Sequence, residues 1–194
     1  AVGTFANADV GTGKTVTVSG LAISGDDAAN YTLAQPTTTA TITISVKELV
    51  VSGITASDKE YDGGTTATLV GTGTATLVGI IGDDQVTLNV TQAAGAFANA
   101  DVGTGKTVTV SGLTISGAGA ANYTLAQPTT TATITAKELA VNGITASDKQ
   151  YEGTTTATLM ATTTGSLVGV IAGEDVTLNA SQAVGVFADA NAGT

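Results

Sequence analysis

Short runs in which apolar and polar residues alternate recur along the whole chain. In the segment 86–90, valine and leucine alternate with threonine and asparagine, and the segments 107–110, 122–125 and 131–134 repeat the pattern. A period of two places one set of side chains on a buried face and the other on a wet face of a β-strand. Turn sequences such as Asp62-Gly63-Gly64 separate the runs. The pattern predicts many short strands joined by tight turns.

The residue types agree with strands. Val, Ile and Thr are frequent, only 4% of the residues are aromatic, and 25 glycines punctuate the runs. Residues branched at Cβ suit a pleated strand and disfavour a helix. Roughly eight to ten runs in about 90 residues predict an all-β fold of immunoglobulin-like β-sandwich size. A β-grasp-like fold and a partly open barrel remain alternatives.

The chain is a tandem repeat. The segment 59–69 returns at 149–159, and Phe5, Phe97 and Phe187 occupy equivalent positions. A two-residue difference in spacing lies just before Lys47. Residues 1–46 are therefore the back half of one repeat, residues 47–136 a complete repeat, and residues 137–194 the front part of a following repeat. We expect either a window on a longer chain or neighbouring chains that complete each other's split repeats.

The joins between repeats are expected to be stiff. Pro36 and Pro128 each precede a threonine-rich run that leads into the next Lys-Glu-Leu sequence. Proline cannot donate a ladder hydrogen bond, so it belongs at the start or edge of a strand. A join made of a strand hinges less than one made of flexible coil.

The charge excludes one class of partner. Six lysines, no arginine and 16 acidic residues give a net charge of −10, whereas nucleic-acid binding needs a basic surface. There is no cysteine for a disulfide or a thiolate metal site. No apolar run approaches the roughly 20 residues that span a bilayer, so no membrane span is expected in this segment.

The order of motifs resembles a known family. Lys-x-Tyr-Asp-Gly, preceded by Lys-Glu-Leu and followed by Gly-Lys-Thr-Val-Thr-Val-Ser-Gly-Leu and Asn-Tyr-Thr-Leu, resembles the YDG-type repeat of large bacterial surface adhesins, often filamentous-haemagglutinin-like proteins. The third copy departs with Glu152 in place of aspartate. The resemblance implies an extracellular, stalk-like role at the bacterial cell surface and no catalytic residue. The structural-motif residues are Lys59, Tyr61, Asp62, Gly63, Lys149, Tyr151, Glu152 and Gly153.

Three further features of the sequence are considered: a segment like a phosphate loop, an ion pair and a crosslink. The segment 100–107 resembles a phosphate loop, but a strand-like sequence follows it where such a loop needs a helix, so a turn into a strand is favoured. Lysine and carboxylate in the two YDG-like motifs predict a buried ion pair with a tyrosine anchor. A lysine–asparagine crosslink, involving for instance Asn122, would remove about 17 Da per repeat.

Acidic turns are the candidate metal sites. Loops rich in carboxylate and carbonyl oxygens can hold Ca²⁺, and four residues at equivalent turns qualify: Asp83, Asp84, Glu174 and Asp175. The pair Asp26-Asp27 corresponds to Ala118-Gly119 in the next repeat, so it cannot be an obligatory site. Solvated turn carboxylates are the favoured interpretation, and no other cofactor is expected.

These observations predict a structural, non-catalytic repeat. The chain has no histidine and no cysteine, which removes the commonest general base and the best nucleophile. We expect a stalk or filament segment whose partners are neighbouring repeats or like chains, with a host or surface ligand bound elsewhere in the full protein. The alternative is that the repeats associate edge to edge into a fibre, or bind glycan or Ca²⁺ directly.

Overall fold

The first partial repeat forms one small antiparallel sheet. The structure is a computed structural model, and it describes residues 1–39, 43–160 and 165–191. The sheet order is β1-β2-β3, with strands β1 (Val2–Phe5), β2 (Thr15–Ser19) and β3 (Thr37–Thr39). A 3₁₀ turn, Ala28–Asn30, lies between β2 and β3.

The complete repeat contains twelve strands and two 3₁₀ turns among the residues described. Most strands are short because turns interrupt the alternating runs, many of them at a glycine such as Gly53, Gly71 or Gly112. The strands are β4 (Lys47–Ser52), β5 (Thr55–Ala56), β6 (Lys59–Glu60), β7 (Thr66–Ala67), β8 (Leu69–Val70), β9 (Thr76–Val78), β10 (Thr87–Asn89), β11 (Ala94–Phe97), β12 (Gly103–Ser111), β13 (Thr114–Ser116), β14 (Tyr123–Ala126) and β15 (Thr129–Thr135). The 3₁₀ turns are Thr72–Thr74 and Ala120–Asn122.

The third repeat forms three antiparallel pairs within its described part. These pairs are β16 with β20, β17 with β19, and β18 with β21. The strands are β16 (Ala140–Asn142), β17 (Thr145–Ala146), β18 (Thr156–Ala157), β19 (Leu159–Met160), β20 (Ser166–Val168) and β21 (Gly185–Val186).

The all-β prediction is confirmed, and the sheets of the complete repeat mix two pairing modes. The largest sheet has the order β6-β15-β12-β11-β7, and a second has the order β14-β4-β9. Strand β14 runs parallel to β4, and β15 runs parallel to β6. The pairs β10–β13 and β5–β8 are antiparallel. The choice among an immunoglobulin-like sandwich, a β-grasp-like fold and a partly open barrel stays a prediction.

The predicted alternation is clearest in β12. Val108 and Val110 are completely buried, whereas Thr107 and Thr109 are exposed. The register places Phe97 of β11 opposite Val108, so an aromatic ring and a branched side chain meet across the strands.

Thirteen large hydrophobic residues of the complete repeat divide into two groups by burial. Eight are buried: Leu49, Ile54, Phe97, Val108, Val110, Leu113, Tyr123 and Ile134. The other five are half-buried: Leu69, Leu77, Val86, Leu88 and Leu125.

Burial is concentrated in the complete repeat. Phe97 is 3% exposed, whereas its equivalents Phe5 and Phe187 are 37% and 39% exposed. Outside residues 47–136, Val16 is the one described hydrophobic residue in the buried class. In the complete repeat β11 has strands on both sides, β12 and β7, whereas among the described residues β1 pairs with β2 alone and β21 with β18 alone.

Two compact units divide the chain, and their limits do not follow the repeat. The first unit contains residues 1–57, 66–98 and 106–132, which are the first partial repeat and most of the complete repeat. The second contains residues 58–65, 99–105 and 133–194, so three short segments of the complete repeat belong with the third. The described residues include no helix long and apolar enough to cross a bilayer.

Candidate functional site

The Lys-x-Tyr-Asp-Gly sequence folds into a loop that its own side chains close. Lys59 Nζ lies 2.6 Å from Asp62 Oδ1 and 2.7 Å from the carbonyl oxygen of Gly64. The amide of Gly64 donates to the same carboxylate at 2.8 Å. Between them Gly63 has a φ of +77°, a left-handed conformation that favours glycine. Hydrogen bonds from Lys59 and then from Gly64 lower the pKa of the Asp62 carboxyl.

The third repeat builds the same loop with a longer acid. Lys149 Nζ lies 2.9 Å from Glu152 Oε1 and 2.7 Å from the carbonyl oxygen of Thr154. Hydrogen bonds from Lys149 and then from Thr154 lower the pKa of the Glu152 carboxyl. The replacement of aspartate by glutamate therefore preserves the ion pair.

The predicted ion pairs are present, but the expectation that they are buried is wrong. The Asp62 and Glu152 side chains are each 61% exposed, while the lysine stems are more covered. A tight loop places the carboxylate at its tip, where water reaches it. Exposed pairs of this kind contribute only a small part of the global stability, and they also fix the shape of the loop.

The tyrosine of the motif reaches the following repeat within the second compact unit. Tyr61 is half-buried, and its hydroxyl donates a hydrogen bond to Glu174 Oε1. The backbone amide of Tyr61 donates to Thr135 at 2.8 Å, at the end of β15. Hydrogen bonding to Glu174, then desolvation and the charges of Glu174, Asp101 and Asp62, raise its pKa above 10.0. Its equivalent in the third repeat, Tyr151, is 68% exposed.

Glu174 lies in a turn that the complete repeat also possesses. The amide of Glu174 donates to Ile171, and the amide of the equivalent Asp84 donates to Ile81, both at 3.1 Å. In the complete repeat the hydroxyl of Tyr123 donates to Asp84 Oδ2 at 2.7 Å and accepts from the Ile81 amide at 2.9 Å. The bond to Asp84, then desolvation, raises the pKa of Tyr123.

A second contact between repeats lies in the first compact unit. The amide of Val10, in the first partial repeat, donates to Asn122 Oδ1 of the complete repeat at 2.9 Å. The Asn122 Nδ2 lies 3.4 Å from Asp9 Oδ1. Asn122 ends a 3₁₀ turn and directly precedes Tyr123, so this contact adjoins the acidic turn.

The acidic residues considered for Ca²⁺ are exposed and do not cluster in threes. No group of three or more potential acidic ligands lies together among residues 1–39, 43–160 and 165–191. Asp84 and Glu174 accept tyrosine hydroxyls, and Asp83 and Asp175 are exposed. A metal site at these turns stays a prediction.

The remaining candidates also have a defined placement. The phosphate-loop-like segment 100–107 runs into strand β12, as the turn interpretation expects. Lys59 and Lys149 lie against the carboxylates and carbonyls of their own loops. The Asn122 side chain is occupied by Val10 and Asp9. The lysine–asparagine crosslink stays a prediction that mass spectrometry tests.

The four shifted groups predict loss of stability at both extremes of pH. The lowered pKa of Asp62 and Glu152 means that their contribution is present above about pH 4 and is lost as the pH falls through the folded-state values. The raised pKa of Tyr61 and Tyr123 means that theirs is present below pH 10.0 and is lost as the pH rises past the folded-state values. We expect the melting temperature, followed by circular dichroism, to fall on both sides of a neutral plateau.

The variant Tyr123→Phe isolates the alkaline limb. Phenylalanine neither donates to Asp84 nor ionises, so the variant should melt lower than the wild type at neutral pH, and the gap between the two curves should close as the pH rises past the raised folded-state pKa of Tyr123. Tyr151→Phe is the matched control and should follow the wild type, since Tyr151 is exposed. A Tyr123→Phe curve parallel to the wild type at every pH would contradict the prediction.

The described residues form an all-β tandem repeat in which loops contact the repeat that follows. The family model for the YDG domain matches residues 1–40, 45–132 and 135–194. The chain therefore belongs to the YDG domain family. Neither the curated proteins nor the solved structures contain a match to it.

Proposed function

We propose that this chain is a structural, non-catalytic segment of a bacterial surface adhesin, in which YDG repeats form a stalk or surface filament. The observation that carries the proposal is the join between repeats. Strand β15 ends at Thr135, and a single residue, Ala136, separates it from Lys137, where the third repeat begins. A connection this short leaves little freedom between consecutive repeats.

The contacts between repeats support the same role. Val10 binds Asn122 within the first compact unit, and Tyr61 binds Glu174 within the second. The first partial repeat thus contributes a backbone amide, and the complete repeat a tyrosine hydroxyl, to the repeat that follows it, in addition to the covalent join. Tethered domains with no shared side-chain contacts would transmit force or position less well.

The family and the charge support the proposed location and partners. YDG-type repeats resemble those of large bacterial surface proteins, which supports an extracellular segment at the cell surface. A net charge of −10 favours a soluble, self-repelling array. We place any host or surface ligand elsewhere in the full protein, and neighbouring repeats are the partners of this segment.

One observation favours a second candidate, edge-to-edge assembly into a fibre. Val184 and Val186 are 84% and 69% exposed; Val186 lies in β21, which pairs with β18, and Val184 directly precedes β21. An exposed apolar strand edge can pair with a strand of another chain. Repeats that polymerise in this way would be filament subunits and not a passive stalk.

Electron microscopy of the protein, before and after a Ca²⁺ chelator is added, separates these candidates. Single extended particles of constant length support the stalk proposal. Continuous filaments with a regular axial repeat support assembly, and compact isolated particles contradict both. Loss of extension after chelation would identify the acidic turns as metal sites, and Asp84→Asn would then reproduce the loss without the chelator.

A further inference from the structure

The two contacts between repeats each show a part of the interface between one repeat and the next. In the first compact unit, a loop of the first repeat (Asp9-Val10) lies on Asn122, next to the acidic turn of the complete repeat. In the second unit, the YDG loop of the complete repeat lies on the acidic turn of the third repeat. Each contact includes segments of the repeat that are absent from the other contact.

The loops on the donating side belong together. The residue equivalent to Asp9 in the complete repeat is Asp101, and its charge contributes to the raised pKa of Tyr61. The segments 58–65 and 99–105, which carry Tyr61 and Asp101, both lie in the second unit. We call these two segments the donor loops.

The accepting side is equally compact. Tyr123 binds Asp84, and the amide of Gly119 donates to Gln85 at 3.1 Å, so the acidic turn is fixed to the 3₁₀ turn that ends at Asn122. We call these two segments, 81–85 and 117–123, the acceptor turns. Asp9 and Val10 already contact them at Asn122.

We propose that the tyrosine of the YDG motif is the connector that docks each repeat onto the acidic turn of the next, where one carboxylate receives two tyrosines, one from each repeat. In the complete repeat Asp84 Oδ2 accepts a hydrogen bond from the hydroxyl of Tyr123, which belongs to the same repeat. Asp84 Oδ1 has no hydrogen bond among the described residues. In the third repeat Glu174 Oε1 takes the hydroxyl of Tyr61 from the preceding repeat. A carboxylate has about four acceptor positions and can hold both donors.

The exposed copy identifies the docking surface and its partner. Tyr151 stands at the position of Tyr61, on a loop held by the same lysine and carboxylate contacts, and it is 68% exposed. Its partner is the acidic turn of a further YDG repeat, recognised by a carboxylate at the position of Asp84 or Glu174. The inference deepens the proposed structural function and rests on it.

The test uses the full chain and the local opening of the third repeat's acidic turn. The variants are Tyr61→Phe, Glu174→Ala, the double variant and Tyr151→Phe, measured by hydrogen exchange of residues 171–175. Each single variant of the pair should raise exchange about 5-fold, as loss of one hydrogen bond implies. The double variant should exchange no faster than the single variants, because both remove the same bond. Tyr151→Phe should leave exchange unchanged.

Three results would overturn the proposal: no change in Tyr61→Phe, an additive rise of about 25-fold in the double variant, or an equal rise in Tyr151→Phe. A second measurement tests the interface itself. The chain has no cysteine, so spin labels at Thr104→Cys and Thr177→Cys, both exposed and both in the second unit, report one distance. Its distribution should widen in Tyr61→Phe and stay narrow in Tyr151→Phe. Unchanged exchange and width, with extended particles still seen by microscopy, would overturn the interface and leave the stalk function standing.

Discussion

Replacing Phe97 by alanine is expected to lower the free energy of unfolding by about 3–5 kcal/mol, as truncation of a buried phenylalanine usually does. The ring is 3% exposed, and its strand β11 is paired on both sides, with β7 and with β12. Val108, opposite it in register, is completely buried and would lose the aromatic side chain that it faces across the strands. Urea denaturation followed by circular dichroism measures the change, and an unchanged slope would show that stability alone was altered.

The repeat provides the matched control for this substitution. Phe187 occupies the equivalent position but is 39% exposed. Its ring lies 5.6 Å from Lys149 Nζ, and the amide of Phe187 donates to Thr155 at 2.8 Å. Phe187→Ala should therefore cost well under half as much as Phe97→Ala, because less apolar surface returns to water. Equal losses in the two variants would show that burial in the complete repeat does not govern stability.

The parts of the fold that sequence predicts are those that depend on neighbours along the chain. Alternation placed Val108 and Val110 on one face of β12, and both are buried. The lysine and carboxylate of the YDG loop lie three residues apart and pair in both copies. Local geometry brings such groups together whatever the rest of the chain does. Burial of these pairs was predicted wrongly, since a loop tip projects its carboxylate into water.

The pairing of distant strands could not be predicted. Strand β14 lies parallel to β4, with Leu125 beside Leu49, although 76 residues separate them in the sequence. Both strands alternate in the same way as the antiparallel ones, so their side chains carry no mark of the partner or its direction. A strand count alone therefore supports an all-β fold but does not distinguish a sandwich from a barrel.

The contacts between repeats were missed for a related reason. Tyr61 and Glu174 each stand out in the sequence, one as a motif residue and one as a turn carboxylate, but they are 113 residues apart. Recurrence explains why both residues exist in each copy and says nothing about which copy they contact. The available signal was the recurrence of Asn30 and Asn122, one of which the structure places between repeats.

The turn after β12 should be the most sensitive backbone position of the complete repeat. Gly112 has a φ of +77°, and a Cβ there would overlap the carbonyl oxygen of Gln92. Gly112→Ala should cost about 2–5 kcal/mol, the sum of left-handed strain and a clash with rigid backbone. Leu113, which follows and is 3% exposed, would be displaced from the core. Thermal and urea unfolding measure the loss.

The equivalent turn of the first partial repeat separates strain from overlap. Gly20 has nearly the same φ, +76°, but the nearest atom to a Cβ there is Ala1 Cα at 3.7 Å, an ordinary contact. Gly20→Ala therefore introduces left-handed backbone strain without an overlap, and it should lower the free energy of unfolding by about 1–2 kcal/mol. The difference between the two losses in free energy of unfolding measures the cost of the overlap between a Cβ at position 112 and the carbonyl oxygen of Gln92. If both variants lose the same free energy of unfolding, Gln92 moves to relieve the overlap. The turn beside Leu113 would then be less rigid than the prediction assumes.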